Sequence, residues 1–130
     1  CLGCYYCASH GGECVRRDDM ADLLQQMIDA DVIVLASPVY FYSINAQLKA
    51  VIDRFYANNE ALMGKKKAVF LTAMADEDQK TASGANASFD LMADYLGWEI
   101  VGRLNVGGCS TADDLHEEDL TAAYELGRNL

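Results

Sequence analysis

The sequence predicts an α/β fold in which helices cover both faces of a parallel β-sheet. Continuous apolar runs rich in β-branched residues alternate along the chain with amphipathic segments of helical period, as in β-α-β units. The chain has 130 residues, of which 52% are hydrophobic, so residues 1–130 can form one domain with its own core. We expect right-handed crossovers between the strands.

The first predicted elements are a helix and a strand. In "DDMADLLQQMIDAD" the apolar residues recur at spacings of three and four, which places them on one helical face. Asp18 or Asp19 can cap the start of this helix. Residues Asp31–Ser37, "DVIVLAS", form a continuous β-branched run, which predicts a strand that is buried on both faces.

A second helix and a second strand follow. Residues Asn45–Ala57, "NAQLKAVIDRFYA", place their large apolar side chains on one face, and Ser43 or Asn45 can cap the helix. Residues Lys66–Met74, "KKAVFLTAM", predict another buried strand.

The last third of the chain predicts a helix, a strand and a closing helix. Residues Asn86–Trp98 have helical period, with Gly97 as the stop signal. Residues Glu99–Gly108 predict a third strand, and residues Glu117–Leu130 predict the closing helix. Residues Asp76–Ala87 form the only long polar loop.

An unusual aromatic segment follows the first strand. Pro38, the only proline, directly precedes "VYFYS", in which Tyr40, Phe41 and Tyr42 are adjacent. A proline here should end the strand and stiffen the turn. Ligands of parallel sheets bind beyond the carboxyl ends of the strands, so these aromatic rings are placed to stack on a flat ligand. Alternatively, they cover a helix end or form a subunit contact.

The charge of the chain limits its partners. The formal net charge is -10, and such a surface repels nucleic acid backbones and anionic membrane surfaces. No apolar run approaches the ~18 residues that a membrane span needs. The acidic charge and the absence of a signal-peptide pattern favour a reducing cytoplasm, where structural disulfides are rare.

Four cysteines crowd the start of the chain. Cys1, Cys4, Cys7 and Cys14 follow the pattern C-x2-C-x2-C-x6-C, in which short loops allow four sulfur atoms to converge on one iron–sulfur centre. The same four thiolates could bind zinc, or the thiols could remain free. The fifth cysteine, Cys109, is expected to be a small buried apolar side chain.

The other ionisable residues are expected to have structural roles. Lys49 and Asp53 form an i, i+4 helical pair. Arg54 is expected to end a helix or to meet another subunit. His10 and His116 are expected to lie on the surface. No hydrolytic triad, phosphate-binding Walker loop or zinc-protease helix is present in the sequence.

Two motifs resemble a known family. "SPVYFYSINAQLKAVIDRF" is similar to the signature of flavodoxin-like NAD(P)H-dependent FMN and quinone reductases, and "CLGCYYCASHGGECVRRDDM" resembles the segment before it in many members. The resemblance implies a flavodoxin-like three-layer sandwich that holds the ring of FMN at the S-P-x-Y-F loop. By motif match the FMN-binding residues are Ser37, Pro38, Val39, Tyr40, Phe41 and Ser43, with Thr72, Ala73 and Met74 at the next strand end as weaker candidates.

The chain departs from the family pattern at its start. Members open with a strand and a hydroxyl-rich loop that binds the FMN phosphate at a helix N-terminus, and a second strand follows. This N-terminal β-α-β portion is missing, so we expect the C-terminal three-quarters of the family fold, with only strands 3, 4 and 5 of the family sheet. The edge of the "DVIVLAS" strand should then be bare, which favours association between chains.

The resemblance also implies a function. The expected activity is that of an FMN-dependent oxidoreductase with NAD(P)H as co-substrate and a quinone, flavin or similar small molecule as acceptor. No catalytic side chain is expected, because the cofactor carries the chemistry. Relatives suggest a homodimer or homotetramer.

Two alternatives remain. The cysteine motif resembles that of archaeal-type iron–sulfur flavoproteins, which implies an electron carrier with FMN and a [4Fe–4S] cluster on Cys1, Cys4, Cys7 and Cys14. The other alternative is a cofactor-free fragment that serves as an assembly partner.

Overall fold

The computed structural model describes residues 1–130 and contains one four-stranded sheet with helices packed on it. The α-helices are α1 (Tyr6–Ser9), α2 (Met20–Asp29), α3 (Ala46–Ile52), α4 (Asn59–Leu62), α5 (Ser83–Leu96) and α6 (Glu117–Arg128). The strands are β1 (Val32–Tyr40), β2 (Ser43–Ile44), β3 (Lys67–Ala73) and β4 (Glu99–Val106). Short 3-10 helices span Phe55–Asn58, Gln79–Ala82 and Ala112–Asp114. The mixed α/β class predicted from the sequence is confirmed, and no helix has the length and apolar character required to cross a membrane.

The sheet has the strand order β2-β1-β3-β4. Strands β1, β3 and β4 run parallel, as predicted, and β2 is a two-residue antiparallel addition to the end of β1. In this register Ser37, Thr72 and Asn105 lie side by side across the three parallel strands. The carboxyl ends of these strands therefore form one edge, which is where the aromatic segment lies.

The main core lies on one face of the sheet. Helices α2 and α5 bury their apolar faces here, and the ring of Phe70 on β3 stacks on that of Phe89 on α5, with centroids 4.7 Å apart. On the opposite face, Leu126 of α6 contacts Gly102 of β4 so closely that a side chain at position 102 would collide with it. The prediction of helices on both faces is therefore correct for β4.

The prediction that β1 is buried on both faces is wrong. Its side chains alternate, with Ile33 and Leu35 buried and Val34, 48% exposed, on the other face. The reason is the position of α6, which covers the sheet at Gly102 and leaves this face of β1 open. The outer edge of β1 pairs only at its end, through Val39 and Tyr40 with β2, so the bare edge expected from the sequence is present along most of the strand.

Pro38 does not end the strand. Strand β1 continues to Tyr40, and Pro38 lies opposite Ala73 of β3. A strand that is unpaired along most of one side tolerates the missing N–H of proline. The polar loop is shorter than the predicted Asp76–Ala87, because a 3-10 helix begins at Gln79 and α5 begins at Ser83.

Two predicted caps are confirmed. The side chain of Asn45 accepts a hydrogen bond from the backbone N–H of Leu48 at 3.0 Å and so caps α3. Gly97 ends α5 in the left-handed conformation, with φ of 71°. At α2 the carboxylate of Asp18 accepts the N–H of Met20 at 3.2 Å. The second predicted helix is shorter than expected, because α3 ends at Ile52 and the chain continues in a 3-10 turn.

Candidate functional site

The aromatic segment forms a tight hairpin, here called the aromatic hairpin (residues 40–43). Tyr40 pairs with Ser43, and the two residues between them, Phe41 and Tyr42, have φ values of 48° and 66°. Two-residue turns with positive φ usually contain Asn and Gly, since a side chain in this conformation costs about 1–2 kcal/mol. Such strain occurs preferentially at functional sites.

The rings of the aromatic hairpin point into solvent. Phe41 is 99% exposed, and Tyr40 and Tyr42 are also mostly exposed. A large apolar ring without packing partners on a strained turn gives nothing to the stability of this chain. The hairpin therefore presents an aromatic surface for a ligand or another protein surface.

Hydrogen bonds hold the base of the aromatic hairpin. The hydroxyl of Ser37 accepts the backbone N–H of Asn45 at 2.9 Å and donates to the carbonyl of Pro38 at 2.7 Å. Ser37 is buried, so both bonds are shielded from water. The strand and the cap of α3 are thus joined beneath the exposed rings.

The ends of β3 and β4 complete this edge of the sheet. Thr72 and Met74 are buried, whereas Ala73 between them is half-buried. The hydroxyl of Thr72 lies 2.7 Å from the side-chain oxygen of Asn105 and donates to it. The backbone N–H of Cys109 donates to the carbonyl of Met74 at 2.8 Å, which closes the loop after β4 against the end of β3.

The nine residues predicted to bind FMN thus fall into two groups. Ser37, Val39, Thr72 and Met74 are buried and hold the edge of the sheet in place. The side chains that reach the surface are those of Pro38, Tyr40, Phe41, Ser43 and Ala73. Asn105 was not predicted from the sequence, because its pairing with Thr72 depends on strand register rather than on local sequence.

An acidic loop borders this edge. The backbone at Asp76 and Glu77 packs so closely on Gly107 that a β-carbon there would lie 3.0 Å from the carbonyl oxygen of Asp76. The hydroxyl of Thr81 and the N–H of Asp78 donate to the carboxylate of Asp76, and these bonds lower the pKa of Asp76. The loop is therefore an ordered wall beside the strand ends.

These features fit the ring of FMN, the cofactor that the sequence motif implies. An exposed aromatic turn at the carboxyl edge of a parallel sheet offers stacking area to a flat ring, and Phe41 has no partner within the chain. The fit concerns the ring only, and the exposed rings at this edge are those of the aromatic hairpin.

The four N-terminal cysteines line one cavity, here called the cysteine cavity. Its volume is about 320 Å³, and its wall includes Cys1, Cys4, Cys7 and Cys14 together with Arg16 and Arg54. Cys1 and Cys4 are exposed, Cys7 and Cys14 are half-buried, and all are free thiols. No three His, Cys, Asp or Glu side chains converge as a ready metal site. In its chemistry the set of four sulfur donors beside two cationic side chains fits an iron–sulfur centre.

Arg54 lies at the end of a helix, as predicted, directly after Asp53, the C-cap of α3. Its side chain is buried and donates to both carboxylate oxygens of Asp18, at 2.7 and 3.0 Å. The hydrogen bond to Arg54 lowers the pKa of Asp18, and the same bond raises the pKa of Arg54. From the end of α3, Arg54 therefore reaches the start of α2 and joins the two helices.

The remaining singled-out residues are structural. Lys49 and Asp53 form the predicted helical pair at the surface. His10 and His116 are exposed, as predicted, and the ring of His10 stacks on Tyr6 with centroids 3.7 Å apart. Cys109 is half-buried, so the prediction that it is a buried apolar side chain holds only in part.

Comparison with protein families identifies relatives of this chain. The family model described as NADPH-dependent FMN reductase matches residues 2–109. An iron–sulfur flavoprotein of Archaeoglobus fulgidus is 33% identical over 134 residues, which cover all of this chain and 58% of that protein. FMN-dependent NADH:quinone oxidoreductase 1 of Pseudomonas syringae pv. tomato is 37% identical over 78 residues, or 52% of this chain and 39% of that protein.

Solved structures show the same fold. The structure titled Trp repressor binding protein from Bacillus subtilis superposes with a TM-score of 0.73 at 18% identity, covering 88% of this chain and 73% of that one. The chain spans little more than half the length of the Archaeoglobus relative that it matches from end to end.

Proposed function

Because this chain belongs to the NADPH-dependent FMN reductase family, we propose that it binds the ring of FMN at the aromatic hairpin and serves NAD(P)H-dependent reduction of a small acceptor. When bound, FMN would supply the redox chemistry, namely hydride transfer from the nicotinamide and electron transfer to a quinone, a flavin or a similar molecule. The protein positions the ring and provides its surroundings, and it contributes no acid or base.

The observation that carries this proposal is the exposed Phe41 on a strained turn at the carboxyl edge of the sheet. Phe41 and Tyr40 provide the surface on which a flat ring stacks, and covering them with a ligand removes apolar area from water. Pro38 and Ala73, neighbours in the strand register, form the floor beside the rings.

The buried residues beneath the hairpin have a positioning role in this proposal. Ser37 ties the hairpin to Asn45, and Thr72 ties β3 to Asn105. A stacking surface that is held rigid before binding loses little conformational freedom when the ring arrives. The backbone N–H groups of the turn are the donors we assign to the polar edge of the ring.

The test is FMN titration of the chain and of the variant Tyr40→Ala/Phe41→Ala. Loss of stacking and burial at the site should weaken binding by about 2–3 kcal/mol, close to a hundredfold. Tyr124→Ala is the matched control, because Tyr124 is as exposed as Tyr40 but lies on α6. Equal affinity of the double variant and the control variant would exclude the aromatic hairpin as the site.

A second function is favoured by the cysteine cavity. Four thiols that line one cavity beside Arg16 and Arg54 support an iron–sulfur flavoprotein that carries electrons without nicotinamide turnover. In that function Cys1, Cys4, Cys7 and Cys14 would hold a [4Fe–4S] cluster, which supplies one-electron chemistry.

Anaerobic purification followed by iron and sulfide analysis separates the two functions. About four irons and four sulfides per chain, lost in Cys4→Ser/Cys7→Ser but kept in the control Cys109→Ser, would support the electron carrier. Negligible iron with NAD(P)H-driven reduction of FMN would support the reductase. A colourless chain that binds neither group would indicate an assembly partner and exclude both.

We also propose a reducing compartment such as the cytoplasm, supported by five free thiols. We propose a homodimer or homotetramer in which residues 1–130 act as one domain, supported by the exposed aromatic hairpin and the open face of β1. Sedimentation of the chain at several concentrations tests the oligomeric state.

A further inference from the structure

Arg54 has a hydrogen-bond donor that nothing in the chain satisfies. The side chain is 10% exposed, and its two terminal nitrogens donate to Asp18. The remaining donor, Nε–H, is buried and has no partner. A buried unpaired donor is unfavourable, so native structures rarely keep one without a role.

The surroundings of Arg54 indicate what this donor serves. Arg54 lines the cysteine cavity together with Cys14, and both residues also line the neighbouring cavity that Asp18 borders. Both hydrogen bonds of the Arg54 side chain go to Asp18, and neither of them uses Nε–H. The sulfur of Cys14, which lines both of these cavities with Arg54, is a candidate acceptor for this donor.

The clamp by Asp18 fixes the direction of the guanidinium plane. A bidentate pair holds arginine in one orientation, and the side chain of Asp18 is itself anchored by accepting the N–H of Met20 at the start of α2. The clamp thereby holds Nε–H in a fixed direction instead of leaving it free to rotate to water. Arg54 is thus organised before any group enters the cavity.

We propose that Arg54 is a positioning residue of the cysteine cavity, whose Nε–H donates to the sulfur of Cys14 when the four cysteines hold an iron–sulfur centre. The inference rests on the second function proposed above. A hydrogen bond donated to a sulfur ligand withdraws negative charge from the iron–sulfur centre. The bond therefore favours the reduced form of the centre and slows the release of iron. Arg16, which also lines the cavity, is exposed and has no such clamp.

The experiment compares Arg54→Gln, Arg54→Lys and wild type in the full chain, each loaded anaerobically with iron and sulfide. Arg54→Gln should release iron about tenfold faster, as expected when a partner of a metal ligand is removed. Its midpoint potential should move to a more negative value. Arg54→Lys retains the charge and a pairing with Asp18 but has no Nε–H, so it should fold like wild type and still show the shifted potential.

Arg103→Gln is the matched control, because Arg103 also pairs with an aspartate, Asp90, but lies outside the cavity. It should keep the wild-type potential and iron release. If Arg54→Lys had the same midpoint potential and the same rate of iron release as the wild-type chain, the inference would be overturned. The electron-carrier function would still stand in that case, because the wild-type chain holds iron. A wild-type chain that takes up no iron would overturn both.

Discussion

Gly84 leaves the space that the backbone carbonyl of Tyr42 occupies. A β-carbon at position 84 would overlap that oxygen, and the next atoms it would meet also belong to Tyr42. The first turn of α5 is therefore in direct contact with the aromatic hairpin. A side chain at position 84 would therefore force Tyr42 or α5 to move.

Gly84→Ala should consequently displace the aromatic hairpin. Although alanine favours the helix, the clash is with backbone that cannot move away freely, so we expect a net loss of about 1–3 kcal/mol in the free energy of unfolding. FMN affinity should fall as well. Urea unfolding and FMN titration measure the two effects.

The control for this substitution is Gly127→Ala on α6, where nothing lies within 4 Å of the added β-carbon. It should be neutral or stabilise the chain by up to about 1 kcal/mol. If Gly84→Ala behaved like Gly127→Ala in both measurements, the contact between α5 and the hairpin would contribute neither to stability nor to FMN binding.

Relief of turn strain should separate stability from binding. Phe41→Asn/Tyr42→Gly places the preferred residues of a positive-φ turn at these positions, so the free energy of unfolding should rise by about 1–2 kcal/mol. The same variant loses stacking area, so FMN should bind more weakly. Thermal and urea unfolding test the first effect, and FMN titration tests the second. A variant less stable than wild type would show that the turn is not strained.

Acid should weaken the loop after β4 through Asp114. The backbone N–H groups of Thr111 and Ser110 donate to its carboxylate at 2.7 and 2.9 Å, and these bonds lower the pKa of Asp114 in the folded chain. A lowered folded pKa stabilises the fold above the unfolded value of about 3.9, and this contribution is lost as the pH falls through the folded pKa.

Asp114→Asn should therefore be less stable than wild type at neutral pH, and the difference should shrink as the pH falls below about 4. Urea unfolding at several pH values measures it. Asp113→Asn, at the neighbouring exposed position, is the control and should track wild type. A stability difference between Asp114→Asn and wild type that is constant down to pH 2 would refute the linkage.

The open face of β1 should promote association of the chain. Val34 is an exposed apolar residue on a strand whose outer edge is mostly unpaired, a combination that favours strand pairing between molecules. Val34→Lys should shift sedimentation towards monomer with little change in the free energy of unfolding. Leu120→Lys, at an exposed apolar position on α6, should not. Equal association of wild type and Val34→Lys would place the contact elsewhere.

The order and type of the main elements could be predicted from the sequence alone. Apolar period distinguishes the strands from the helices, because each element must bury one face or both. Asn45 and Gly97 were predicted correctly because caps and left-handed stops depend on residues within one turn of the helix end. The aromatic hairpin was located at the carboxyl edge for the same kind of reason, since it directly follows a strand.

Contacts between residues that are distant in the sequence could not be predicted and are seen only in the folded chain. Arg54 and Asp18 lie 36 positions apart, and their pairing depends on how α3 packs beside α2. The hydrogen bond between Thr72 and Asn105 depends on strand register, and the open face of β1 depends on where α6 lies. Local sequence contains no periodicity or cap that indicates such contacts. They arise from the way in which helices and strands pack together, and each element could bury its apolar face in more than one arrangement.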